Sequence, residues 1–489
     1  MKIYITYPPL TNEKGVPLLS QNRQFQWFND PTFIYPMVPA SAATLLQNKG
    51  YKVIWDDAIA ERKTYSQWKK DVENELPGMI VMETKTPVVK MHWEILGDLK
   101  RVLPDTRLVL MGDHVTALPE ESFRNSPVDY ILTGGDYDFL LAGLVDYINQ
   151  KVPGLEPGIY WRDKGGVKNS GRFERKYDLN TLPFIDRDLT KWHLYAYHNG
   201  NYRKTPGTYI MAGRDCWYHQ CTFCSWTTLF PKFNKRSPRS LLDEIGILVE
   251  KYGVKEIMDD TGTFPIGDWL DEFCEGMIER GYHKKINIDC NMRLGKSITY
   301  NEMKLMKKAG FRLILVGIES ANQKTLDRID KGEHIEEMVK AVKLMREAGL
   351  YPHITIMFGF PWETEEEAIN TLNLGRHLLI KNFAYTMQAT LVIAYPGTPL
   401  FEECQKNNWL ATEDWNRFDM REPVMKTPLG NEQLMKYVQG LYSVSFNPEF
   451  LFRKVLSIRD FYDLKYFVRA GKKVMGHLFD FSHKKSPEL

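Results

Sequence analysis

Three of the six cysteines in this 489-residue chain, Cys216, Cys221 and Cys224, stand within nine positions. Thiols crowded so closely point to metal binding in a reducing compartment, because six cysteines are too few for a disulfide framework in a chain this long. Three thiolates on one short loop can hold three corners of a [4Fe-4S] cube and leave the fourth iron open to a further ligand. A structural zinc site instead wants four closed ligands, and His219 inside the same loop is the nearest candidate for a fourth. Cys274, Cys290 and Cys404 are isolated and read as buried or incidental thiols.

Further chemistry-bearing residues follow the loop. Asp259-Asp260-Thr261-Gly262 ends an apolar run in paired carboxylates, with a solvated turn as the plain alternative. Arg293 offers a planar fork that matches a carboxylate. Gly317-Ile318-Glu319-Ser320 puts a carboxylate at the end of another apolar run, where Ser320 would also serve as a helix N-cap. Gly359-Phe360-Pro361 and Tyr395-Pro396-Gly397 close two more runs in turn-forming residues.

These residues need a scaffold that delivers them to one place. From Thr208 onward, short apolar runs at 208–212, 256–258, 287–291, 313–316, 353–358 and 387–394 alternate with amphipathic helical patterns. Six such repeats predict a partly closed (β/α)6 barrel with its active site at the strand C-termini. The first 140 residues alternate in the same way, with runs at 2–6, 52–55, 79–82, 107–111 and 130–132. That pattern predicts a doubly wound parallel sheet, which binds ligands beyond its strand C-termini. The fold class is therefore α/β, and the expected domains are 1–150, a hairpin and linker over 151–200, the barrel over 201–400 and a helical region over 401–489.

The cysteine motif and the ordered segments after it resemble the radical S-adenosylmethionine (SAM) superfamily from about Thr208 to Leu400. The commonest family spacing has three residues between the first two cysteines, whereas four stand here, Trp217 to Gln220. The resemblance implies that Cys216, Cys221 and Cys224 hold a [4Fe-4S] cluster whose open iron chelates SAM. An electron then cleaves SAM to a 5'-deoxyadenosyl radical that abstracts hydrogen. It further implies that Phe223 packs near cluster and adenine, that Gly317 and Glu319 meet the SAM ribose or amino group, and that Gly359 and Pro361 lie along adenine. Asp259, Asp260 and Arg293 join the cofactor-binding set on the same ground.

The N-terminal sheet resembles the cobalamin-binding domain that precedes the barrel in one large subgroup, most clearly over 111–121. On that likeness the strand ends Tyr7-Pro8, Glu83-Thr84, Gly112-Asp113-His114 and Thr133-Gly134-Gly135 form a polar rim for the corrin. The pattern Asp-x-His-x-x-Gly is absent, so cobalt is expected without a protein histidine beneath it and His114 is expected on the rim. The implied reaction is methylation of an unactivated carbon on a small-molecule or lipid-like substrate, with a flavodoxin or ferredoxin as electron donor. Oxidative cyclisation or rearrangement, and a non-catalytic redox or corrinoid sensor, are the alternatives.

A formal charge of +2 gives no overall attraction to nucleic acid. The N-terminus has no signal-peptide pattern and the chain has no twenty-residue apolar stretch, so a cytoplasmic protein is expected. The stretch 450–481 mixes aromatic residues with Arg453, Lys454, Arg459, Lys465, Arg469, Lys472 and Lys473. It reads as a helical cap on the barrel or as a peripheral contact with an anionic membrane.

Overall fold

A computed structural model of the chain describes residues 1–10, 12–19, 25–29 and 31–480, with backbone alone for 296 and 472–480. The expected basic pair Lys484-Lys485 lies outside the described residues. Lys2–Tyr7, Lys52–Asp57, Met79–Thr84, Arg107–Gly112 and Tyr130–Leu132 form the parallel part of a seven-stranded sheet. Met79–Thr84 is buried at every position, as a central parallel strand covered on both faces requires. The second strand lies outside the first and the third returns to its other side, so the topological switch point falls between Lys2–Tyr7 and Met79–Thr84.

The hairpin Ile159–Asp163 and Gly166–Asn169 is not a free linker. It adds two antiparallel strands to the edge of this sheet by pairing with Tyr130–Leu132. The first layer therefore runs past residue 150.

The second sheet contains Gly207–Ile210, Glu256–Asp259, Asn287–Met292, Phe311–Glu319, Tyr351–Phe358 and Thr386–Leu391, parallel and in sequential order. Helices intervene between strands, and two begin in a reciprocal cap: Thr299 with Glu302, and Thr364 with Glu367. Six strands in this order do not close a barrel, so Gly207–Ile210 and Thr386–Leu391 are left as facing edges. Besides the strands, the interior cavity is lined by Ile34 and Asn201 from before the barrel and by Tyr395 and Met420 from after it.

At the opposite end from the cysteines, the buried Arg312 guanidinium lies 2.7 Å from both Glu256 and Asp289. The helix Phe461–Asp480 covers this triad, with the Tyr466 ring 5.6 Å from the guanidinium. Among the described residues no helix is long and apolar enough to cross a membrane. Removing one member of a buried ion cluster leaves uncompensated charge and costs about 3–5 kcal/mol. Arg312→Met is accordingly expected to lower the urea-unfolding midpoint clearly, and an unchanged midpoint would refute the triad's role.

Candidate active site

The cysteine loop is clamped at its base, where Gly213–Arg214 pairs antiparallel with Asn234–Lys235. Arg214, two residues before Cys216, is buried between Asp136 and Asp138 at 2.7 and 2.5 Å. Arg175 donates to the Arg214 carbonyl at 3.3 Å and lies 3.4 Å from Asp136. Within the loop, Asp215 and His219 take left-handed backbone angles, φ 76° and 53°. His219 Nδ1 bonds the buried Asp215 carboxylate, which braces the turn from inside. Gly262 is required beneath it, since a Cβ there would lie 2.6 Å from the Asp215 carbonyl oxygen. Two backbone bonds of 3.0 Å, Thr222 N to Ile329 O and Leu400 N to Thr222 O, tie the loop across the barrel mouth.

Cys216, Cys221 and Cys224 are half-buried and line a cavity with about 1520 Å³ of atom-free space, open to solvent, that descends into the barrel. Cys216 Sγ is 3.0 Å from Thr263 Oγ1. Asp260, Arg293, Gly317, Glu319 and Lys331 line the same cavity. Glu319 has φ 62° and ends its strand just after a register shift at Gly317. Its carboxylate lies 3.1 Å from Lys331 Nζ and accepts from Thr355 Oγ1 at 3.4 Å. Arg293 stacks 3.7 Å over the Tyr218 ring and reaches to 3.9 Å from Cys221 Sγ.

Burial pushes the Cys221 thiol up, while Lys331 and Arg293 pull in the opposite direction. Burial also works against the Lys331 charge, but Glu319 and Glu333 outweigh it and keep the amine protonated. Three thiols beside two cations suit an anionic iron-sulfur cluster, and the adjacent Glu319–Lys331 pair suits a zwitterionic ligand. Deeper in the cavity, His353 bonds Thr386 Oγ1 at 2.9 Å. Burial, with Arg312 contributing, lowers its pKa to about 4 and keeps the ring neutral.

The structure gathers Cys216, Cys221, Cys224, Phe223, Asp260, Arg293, Gly317 and Glu319 on this one cavity. Asp259 is not among the lining residues. Its buried carboxylate accepts from the amides of Ala212 at 2.7 Å and Thr261 at 2.9 Å, which fixes the turn that presents Asp260. Gly359 and Pro361 also stand off the cavity, with Gly359 packed towards Leu434.

The Radical SAM superfamily profile matches residues 210–375, the stretch that carries the cysteine loop and the carboxylate at position 319. Residues 210–375 thus form a radical SAM domain. The chain is 28% identical over 442 residues to an uncharacterized methyltransferase of Pyrococcus horikoshii, covering 86% of this chain and 88% of the relative. It is 24% identical to the anaerobic magnesium-protoporphyrin IX monomethyl ester cyclase of Cereibacter sphaeroides, over 76% of this chain and 60% of that one. Its fold matches that of the radical SAM methyltransferase TsrM of Kitasatospora setae, solved with cobalamin and a [4Fe-4S] cluster, at TM-score 0.68 and 14% identity. That match covers 98% of this chain and 99% of the other, so both sheets and the C-terminal helices share the architecture.

The strand ends of the first sheet face the cysteine loop of this radical SAM protein across a crevice with about 310 Å³ of atom-free space. Glu83, Lys85, Asp113 and Tyr137 line one side, and Ser225, Trp226, Leu229 and Phe230 the other. Burial raises the Glu83 carboxyl to about 7, and Tyr7 donates to it across the switch point. The polar side suits the amide-bearing edge of a corrin, and Trp226 and Phe230 stand on the apolar side opposite it. Gly134 and Gly135 are already covered, by Phe173 and Phe230 respectively. Thr84 bonds His92 and Thr133 bonds the Gly158 carbonyl, so both brace the rim from behind. Pro8 is buried beside Tyr7.

His114 is not on the rim. Its ring is fully buried between Trp93 and Trp415 and bonded to Thr86 and Glu121. The helix Asp113–Ala117, which starts directly after the strand, turns it inward.

Two predictions follow from the cavity. Glu319→Gln removes the charge facing Lys331 and is expected to weaken binding of SAM to the reconstituted protein about tenfold, one charge-assisted bond's worth, by calorimetry; unchanged affinity would remove Glu319 from the site. His353 titrates near 4 when folded against 6.5 when free, so the folded state binds fewer protons and loses stability as pH falls through that window. Denaturation near pH 7 and near pH 5 should show a smaller acid loss in His353→Gln than in the parent.

Proposed function

We propose that this radical SAM enzyme holds a [4Fe-4S] cluster on Cys216, Cys221 and Cys224, binds SAM between Arg293 and the Glu319–Lys331 pair, and methylates an unactivated carbon. The observation that carries this reading is the meeting of three thiols, two cations and a carboxylate on one cavity at the mouth of the barrel. Cobalamin would be held by Glu83, Lys85, Asp113 and Tyr137 in the crevice beyond the C-terminal ends of the strands Met79–Thr84, Arg107–Gly112 and Tyr130–Leu132. When bound, the three groups supply a carbon-centred radical and a transferable methyl group.

The chain's own part is placement and exclusion. Arg293, fixed over Tyr218, presents its fork to a carboxylate. Glu319, fixed by its backbone angle and by Lys331, presents an acceptor to an ammonium or to ribose hydroxyls. Neutral His353, Thr355 and Gln388, set among Met258, Leu315 and Met357, give the inner cavity a mainly apolar wall with a few hydrogen-bonding groups. Such a wall suits an uncharged small-molecule or lipid-like substrate better than an ionic one. A flavodoxin or ferredoxin is the electron donor in this reading. The cyclase among the relatives favours a second reading, oxidative cyclisation on the same cavity.

Anaerobic reconstitution with iron, sulfide and cobalamin, followed by optical and EPR spectra and incubation with SAM, tests the proposal. The parent protein should retain iron and corrinoid and release 5'-deoxyadenosine. Serine at positions 216, 221 and 224 together should abolish iron retention and SAM cleavage, and iron content equal to the parent's would overturn the cluster assignment. A methylated product with two SAM consumed per turnover supports methylation, whereas a dehydrogenated ring product with one consumed supports cyclisation.

A further inference from the structure

The last two helices, Pro448–Leu456 and Phe461–Asp480, are fastened to the barrel by one face only. Lys454 is buried and donates to the Tyr385 carbonyl and to Asn382. Asp463 and Asp460 pair with Arg203, and Tyr466 stacks on Tyr385. The opposite face of a surface helix is ordinarily polar. Here it presents Leu451, Phe452, Val455 and Leu456 from the first helix, and Phe461, Leu464 and Val468 from the second. Phe452 is 64% exposed and Phe461 71%, values that leave these rings essentially bare. Single exposed apolar residues need no explanation, but a run of them on two consecutive helices marks a surface meant to be covered.

Charge identifies the cover. Over 448–480, the two helices and their connection, there are seven basic residues against four acidic ones, a net charge of +3 in a chain whose total is +2. Two of the four acids, Asp460 and Asp463, are engaged by Arg203. Arg459 and Lys465 are exposed among the bare apolar side chains, as is Arg453, which pairs with Glu449 at 3.0 Å. A second copy of the chain, docked about a two-fold axis, would bring these cations against one another. An anionic bilayer takes both features together, with the Phe and Leu side chains entering the headgroup boundary and the cations meeting lipid phosphates.

We propose that the outer face of these two helices is a docking surface for an anionic membrane, seated at the end of the barrel away from the cysteine loop. It stands independently of the proposed reaction, since none of its residues lines the cavity.

Flotation of the full-length reconstituted protein with vesicles tests it. Vesicles of phosphatidylglycerol and phosphatidylcholine should carry the protein at least tenfold better than phosphatidylcholine alone, and about 0.5 M salt should reverse most of that difference. The triple variant F452S/L456S/F461S should float at least tenfold less, with iron content and melting temperature kept. Two results would overturn the proposal: no flotation of the parent on anionic vesicles, or undiminished flotation of the variant. A parent that is dimeric in solution, loses its dimer in the variant and ignores vesicles would assign the face to a second copy and equally overturn it.

Discussion

The cysteine loop owes its position to one buried cation. Arg214 has left water altogether, and burial alone would disfavour its charge, but Asp138 and Asp136 more than restore it. Both carboxylates sit at the start of the helix Tyr137–Ile148, which belongs to the first sheet, whereas Arg214 opens the loop of the second. A metal-binding loop in one domain is thus located by the side chains of another. Loss of both carboxylates would strand a desolvated guanidinium two residues from the first cluster ligand, which is why the two sheets act as a single unit at this point.

Around that anchor, the cations of the cavity are set against counter-charges. Arg293 and Lys331 stand where thiolates need positive neighbours, and Glu319 and Glu333 offset Lys331 in turn. The left-handed backbone at Glu319 and the close approach at Gly262 are local strains of a kind that concentrates where function needs a fixed geometry. They hold the carboxylate and the loop in place before any ligand arrives.

Much of this was legible in the sequence because apolar runs that end in turn residues dictate parallel strands and their C-terminal sites. The strands fall within a few residues of the expected runs, extended where the flanking residues are also buried, as at Glu83-Thr84. Lys331 was missed because its neighbours Asp330, Gly332 and Glu333 read as a solvated turn, and no periodicity reveals that its amine folds back onto a strand end twelve residues earlier. The Arg214–Asp138 pair was likewise hidden, since it joins positions 76 residues apart in different sheets. His114 and Asp259 were placed by resemblance to the family's strand ends. What sequence position does not give is the direction of the side chain, which a five-residue helix sets for one and two backbone amides set for the other.

The unclosed barrel bears on what can react there. Gly207–Ile210 and Thr386–Leu391 never meet, so one flank of the chamber has no backbone ladder, and Ile34, Asn201, Tyr395 and Met420 from outside the sheet join the strands in lining it. Side chains rearrange far more cheaply than paired strands. The width of the chamber is therefore set by side chains from outside the sheet as well as by the number of its strands.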